Sequence, residues 1–159
     1  MFKILTPVTI GCISLLLAAC GSSDDSDLNA SHYTLQAGSN PLYAEGVKSV
    51  KVLDNEWDYS SELSDYQDRA GSNVDFSEYQ VLLIDLGVRP SAGYAIRFDN
   101  ITDEGDYVLV QYSIMIPASG TNCAYDTALS NPYLFEAIRS KKEILIREAM
   151  EESACSSGN

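Results

Sequence analysis

The chain has 159 residues, of which 45% are hydrophobic, 21% charged and 9% aromatic, with ten Gly and five Pro. These proportions are globular; they exclude a disordered polyampholyte or a collagen-like repeat, and the length allows one domain with a modest core. Acidic residues outnumber basic ones 23 to 10, and a net charge of −13 repels polyanions, which sets nucleic-acid binding aside.

Met1-Phe2-Lys3 supplies one positive charge and Ile4 to Ala19 carries none, the n-region and h-region of a secretory leader. The run is short for a spanning helix, which needs about 20 apolar residues, and Pro7 weakens it further. Leu17-Ala18-Ala19-Cys20 has the pattern of a bacterial lipobox. The small residues suit a peptidase pocket, and the Cys20 thiol is the nucleophile that accepts lipid and becomes the new N-terminus. Residues 1–19 are therefore expected to be removed and Cys20 to carry acyl chains such as palmitate. At about 0.8 kcal/mol per buried methylene, several chains would hold the protein firmly on a membrane. Gly21, not Asp, follows Cys20; in a Gram-negative cell this resembles default sorting to the outer membrane, facing the periplasm or the surface.

Residues 20–45 are rich in Ser, Asp, Asn and Gly and show no apolar period. They read as a flexible tether with an r.m.s. reach of about 25–30 Å. The single histidine, His32, falls in this stretch and reads as a solvated linker residue. Residues 46–159 form the expected single domain.

Val47 to Leu53 has a strand's composition. Asp54 or Asn55 can cap a following helix, in which Trp57, Leu63 and Tyr66 recur at helical spacing through Arg69 until Gly71-Ser72-Asn73 breaks it. Trp57 is read as a core residue on the apolar stripe of that helix. Val81 to Leu86 is a nearly continuous apolar run stopped by Gly87, as expected of a central strand covered on both faces. Tyr94, Ile96 and Phe98 alternate with polar neighbours, Val108 to Ile116 keeps one parity, and the polar turn between them makes an antiparallel hairpin. Leu134 to Ile138 is a further strand. Glu143 to Glu148 reads as a last strand, although Glu143 to Glu152 also fits a helix. The expected fold is mainly β: a small antiparallel β-sandwich or partly closed barrel with one N-terminal helix.

Cys12 leaves with the leader and Cys20 is consumed by lipid, so Cys123 and Cys155 remain. In an oxidising exported location they suggest one disulfide. It would close a loop of about 32 residues and contribute roughly 3–4 kcal/mol, less any strain. No CxxC spacing occurs and no histidine is expected within the folded part, so zinc and thioredoxin-like chemistry are not indicated.

No catalytic constellation emerges, because a Ser or Cys nucleophile wants a base and the domain offers no histidine. Asp99 to Asp106 resembles a calcium loop in composition, but Ile101 and Glu104 stand where such a loop wants a ligand and a Gly. No phosphate-binding Gly loop is present. The expectation is a non-enzyme without metal or cofactor.

One segment stands out. Arg89-Pro90-Ser91-Ala92-Gly93-Tyr94 follows Gly87-Val88 and joins two strong strands. Pro90 stiffens it and Gly93 can take positive φ, so the segment reads as a rigid, projecting loop suited to presenting backbone groups to a partner. The other reading is a tight turn with Tyr94 packed in the core.

Trp57, Val74-Asp75-Phe76-Ser77, the strand Val81 to Leu86, Gly87, Pro90-Ser91-Ala92-Gly93-Tyr94 and Pro117 together resemble the C-terminal domain family of the protease complex subunit PrcB, over roughly Val47 to Ile138. Where the family usually shows Pro-Thr-Gly-Gly-Tyr, this chain has Ser91 and Ala92 in place of the Thr and the first Gly. The resemblance implies a non-enzymatic, membrane-anchored accessory protein that binds and stabilises an exported protein such as a protease. The 89–94 segment is also similar to the Asn-Pro-Thr-Thr-Gly-Tyr loop of chagasin-like inhibitors of cysteine peptidases, which implies the alternative role of a peptidase inhibitor.

Overall fold

Two buried strands adjacent in one sheet organise the molecule: β3 (Gln80–Asp85) and β6 (Tyr133–Ile138), every residue of which is buried. The computed structural model describes residues 31–44, 46–119 and 125–153. The leader, Cys20, Cys123 and Cys155 lie outside the described residues.

β3 and β6 pair antiparallel at the centre of a four-stranded sheet of order β1-β6-β3-β2, where β1 is His32–Gly38 and β2 is Ser49–Leu53. The second sheet, of order β4-β5-β7, contains β4 (Ala95–Asp103), β5 (Tyr107–Ile116) and β7 (Glu143–Glu152). Leu82, Ile84, Leu134 and Ile138 point between the sheets and meet Val108, Val110, Tyr112 and Ile114 of β5. The opposite parity of β3 and β6, Val81, Leu83, Tyr133 and Phe135, packs under the helix α1 (Glu56–Leu63) with Tyr59, Leu63 and Tyr66. Each central strand thus has two apolar faces, which is why its sequence reads as an unbroken run. The fold is the expected small β-sandwich, and among the described residues no sheet closes into a barrel.

Several details refine or correct the sequence reading. The strand β1 lies inside the stretch read as a tether, and His32 is its first residue. β1 forms because β6 offers it a hydrogen-bonding edge and because a buried acid on β6 needs donors, which His32 and Thr34 supply.

Trp57 is not core; it is 77% exposed. Asn55 caps the helix by accepting from the Asp58 amide, and that phase buries Tyr59 and Leu63, four residues apart. Trp57, two residues before Tyr59, is rotated about 200° away onto the solvent face. The helix ends at Leu63 rather than Arg69, and Tyr66 reaches the core from the turn that follows.

Glu143–Glu152 is a strand, and it runs parallel to β5. The connection after β6 crosses from the first sheet to the second, so β7 starts at the end where β5 starts. Gly93 does not adopt positive φ; among the described glycines only Gly87 (φ 70) and Gly105 (φ 87) do.

The topology gathers three loops at one end of the sandwich. The segments after β1, β3 and β5 all leave from the end where Gly38 and Asp85 pair with Tyr133. The chain enters β1 at the opposite end, where His32 pairs with Ile138.

Candidate functional site

The 89–94 segment sits at the three-loop end and is tied down rather than free. The Arg89 amide donates to the Ser130 carbonyl at 2.6 Å, the Ser130 amide donates back to Arg89 at 3.0 Å, and the Ala92 amide donates to the Asp126 carbonyl at 3.0 Å. The Ser130 hydroxyl donates to the Ser91 carbonyl at 2.6 Å, and the Ser91 hydroxyl accepts from the Gly93 amide at 3.4 Å. The Arg89 guanidinium donates to the Leu86 carbonyl and lies 5.8 Å from the centre of the Tyr94 ring. The amides of Arg89, Ala92 and Gly93 are therefore committed inside the protein. This differs from the expectation of a loop that offers backbone groups, and an inhibitor that inserts these atoms into a cleft would first have to break the bonds. Pro90 and Ala92 remain exposed, while Arg89, Ser91, Gly93 and Tyr94 are half-buried.

Gly93 is required by proximity instead of backbone angle. A Cβ there would stand 2.6 Å from the Tyr125 ring and 2.8 Å from Pro117. The Tyr125 hydroxyl accepts from the Ala118 amide and lies 2.7 Å from the Ser153 hydroxyl, so the ring fastens β5, β7 and the 89–94 turn together.

Beside this turn, Pro41, Ala44, Val88, Leu129, Ser130 and Asn131 line a cleft of about 190 Å³. Leu129 is 69% exposed, an unusual position for an aliphatic side chain next to other uncovered apolar groups. Val47 borders the same region, since its backbone would be 2.7 Å from a Cβ on Gly87. Asn131 is nearly inaccessible: its side-chain amide donates to the buried Asp85 carboxylate, and its Oδ1 has no partner. Because a carboxylate only accepts, that bond fixes which Asn131 atom is the oxygen, and this Oδ1 is sealed from solvent, not open to the cleft. Asp85 also accepts from the Tyr66 hydroxyl and the Gly87 amide, both at 2.6 Å.

His32 belongs to the fold, contrary to the expectation that it lies in a linker. Its Nδ1 is 2.6 Å from Oε1 of Glu136, whose Oε2 accepts from the Thr34 hydroxyl at 2.7 Å, and its ring stacks on Phe98 with centroids 4.5 Å apart. No serine or cysteine stands among these partners, so the arrangement fastens a strand and does not assemble a nucleophile and base.

Asp103 at the hairpin tip is likewise engaged. Asp103 accepts from Lys142 and from the Gly105 amide, which hold its carboxyl below the usual range. Among the described residues no group of His, Cys, Asp and Glu is arranged to hold a metal ion. In the Val74–Ser77 stretch, Asp75 accepts from the amide and hydroxyl of Ser77 and starts a turn that seats Val74 and Phe76 against the helix layer.

The cleft residues were not legible in the sequence as a site. Pro41 and Ala44 fall in the presumed tether, and Leu129 lies in a loop without a pattern. The one available signal was Leu129 itself, an aliphatic residue in the polar run from Asp126 to Asn131.

Fold and site together define a small β-sandwich whose loop-bearing end carries an uncovered apolar cleft. The family model described as PrcB C-terminal matches residues 81–138, from β3 through β6, and the resemblance to that family is borne out there. No curated protein and no solved structure matches the chain.

Proposed function

We propose that the protein is a lipid-anchored, non-enzymatic interaction module that docks an exported protein, such as a protease, through its three-loop end. The observation that carries this reading is the cleft beside the 89–94 turn, with apolar walls from Pro41, Ala44, Val88 and Leu129. A large apolar or aromatic partner side chain suits it, and aromatic anchors are enriched at protein interfaces. The direction of the chain agrees. An anchor at Cys20 would be tied to the chain at the end of the sandwich where β1 begins, opposite the cleft. A bridge between Cys123 and Cys155 belongs to the same reading, as a staple of the exported fold.

The test compares full-length lipoprotein with the double variant Val88→Glu, Leu129→Glu, crosslinked in its own membranes. The wild type should recover one exported protein in near-stoichiometric amount, and the variant should lose it while keeping its thermal midpoint. Equal recovery by both forms would move the interface elsewhere. Separately, Cys20→Ser should release the protein from membranes and abolish palmitate labelling.

A further inference from the structure

A cavity of about 460 Å³ lies between the helix α1 and the segment 67–73. It is more than twice the volume of the cleft beside Leu129, shares no lining residue with it, and falls within the range of small-molecule sites. Its floor is Tyr59 and Leu63, both buried. Gly71 brings the segment onto that floor: a Cβ there would collide with the Leu63 side chain and stand 2.8 Å from the Tyr59 hydroxyl. The Ser72 amide donates to the same hydroxyl, so helix and segment are fastened together at the base of the cavity.

Above this floor the lining is polar. Ser60 and Ser64 come from α1, and Gln67, Asp68 and Arg69 from the segment. Two other acids of the helix are committed elsewhere, Asp58 to Asn55 and Glu62 to Lys51. The charged groups in the lining are Glu56, Asp68 and Arg69, and none of them forms an ion pair among the described residues. Trp57 stands beside them. It shares a face of α1 with Ser60 and Ser64, three and seven residues on. Its side chain is 77% exposed, whereas tryptophan in folded proteins is on average largely buried.

We propose that this cavity binds a neutral oligosaccharide, with Trp57 as a stacking platform at its rim. A sugar ring presents an apolar C–H face, which suits an exposed indole, and an edge of hydroxyls that both donate and accept. The lining answers that edge: Glu56 and Asp68 accept, Arg69 donates, and Ser60 does either. Charge disfavours the other small ligands. With one guanidinium beside two carboxylates, a phosphate or sulfate meets the acids and a cation meets Arg69, whereas a neutral ligand carries neither penalty. The site is separate from the docking cleft, so either reading can fail without the other.

The experiment uses the full chain in a zwitterionic detergent and reads tryptophan fluorescence, which comes from Trp57 alone because the chain has one tryptophan. Cellotetraose, maltotetraose and chitotetraose are titrated singly, with tetraalanine and trilysine as controls. At least one saccharide should bind saturably and move the emission to shorter wavelength as the ring leaves water. By calorimetry, Trp57→Ala and Arg69→Ala should each weaken that binding at least about tenfold. Neither should move the thermal midpoint, since both side chains are exposed. Val88→Glu should leave binding unchanged; a loss there would place the sugar in the other cleft and overturn the proposal. Absence of saturable binding of all the saccharides at tens of millimolar would also overturn it, as would binding that survives both variants. Stronger binding of tetraalanine or trilysine would assign the cavity to a peptide or a cation instead.

Discussion

His32 and Glu136 stand 104 positions apart in the sequence, yet His32 Nδ1 lies 2.6 Å from the Glu136 carboxylate. Glu136 is 1% exposed and occupies the inward parity of β6 with Leu134 and Ile138. An acid in that position is costly unless donors satisfy it, and both side-chain donors come from β1. The edge strand is thus held by a polar bond into the core as well as by its backbone ladder.

Replacing His32 with Ala is accordingly expected to lower stability by about 1.5–3 kcal/mol, the range for a hydrogen bond to a buried charged group. Thr34→Val should cost about 1 kcal/mol. Urea denaturation midpoints measure both; a His32→Ala midpoint equal to wild type would mean that β1 is held by its backbone alone.

Trp57→Ala should change stability by less than about 0.5 kcal/mol, as for surface positions generally. Trp57 is the one tryptophan in the chain, so intrinsic fluorescence reports on it directly. Native emission should already lie at the wavelength of a water-exposed indole and shift little on unfolding. A large red shift would place the ring in contact with something apolar.

These two residues show where sequence pattern informs and where it stops. The central strands and the β4–β5 hairpin were readable because their apolar parity is local and long. Seven-residue β1 carries only scattered apolar side chains, and its reason for being a strand lies about a hundred residues downstream in Glu136. Trp57 was misplaced by phase: the cap at Asn55 sets the helix rotation, and the Tyr59–Leu63 pair takes the buried stripe. The parallel pairing of β7 was invisible because it depends on which sheet the preceding connection crosses to. At the site, the turn at residues 89–94 was located correctly, but the carbonyls of Asp126 and Ser130 that consume its amides come from a loop with no pattern of its own.

Gly93→Ala is expected to cost about 1–3 kcal/mol through overpacking against Tyr125 and Pro117. Gly87→Ala should cost more, because φ is +70° and the added Cβ would meet the Val47 backbone at 2.7 Å. Combining Gly93→Ala with Tyr125→Leu should recover part of the Gly93→Ala loss if the ring is the obstacle. Denaturation midpoints of the three variants decide this, and full additivity would point to the backbone instead.

Tyr125 and Ser153 also bear on the remaining cysteines, since their hydroxyls lie 2.7 Å apart and each is two positions from a Cys in sequence. Non-reducing peptide mapping of protein purified from membranes should recover Cys123 joined to Cys155. Cys155→Ser should then lower stability by at most about 3–4 kcal/mol, the loop-entropy value without strain. Free thiols at both positions in membrane-purified protein would remove the staple from the account.

Stability should fall on both sides of neutrality, for different reasons. On the acid side, Glu148 is pushed up by burial but held below the usual carboxylate range by Lys48 and Tyr112, and Asp103 is held low by Lys142. Arg97 and Ser113 likewise hold Glu151 low, and they outweigh the burial that pushes Asp99 up. A carboxyl depressed in the folded state contributes stability that is present above its unfolded value, about 4, and lost as pH falls through the folded value. The midpoint should therefore drop below pH 4, and Glu148→Gln should flatten that limb. On the alkaline side, burial first and then Glu148 raise the Tyr112 phenol above its ordinary value. A raised phenol contributes stability that is complete below about pH 10 and is lost as pH rises towards the folded value. Tyr112→Phe should remove this alkaline loss and reduce, without abolishing, the acid limb, because Glu148 loses the phenol but keeps its ion pair with Lys48. Thermal midpoints across the pH range separate the two limbs, and an unchanged alkaline limb in Tyr112→Phe would assign that loss to another group.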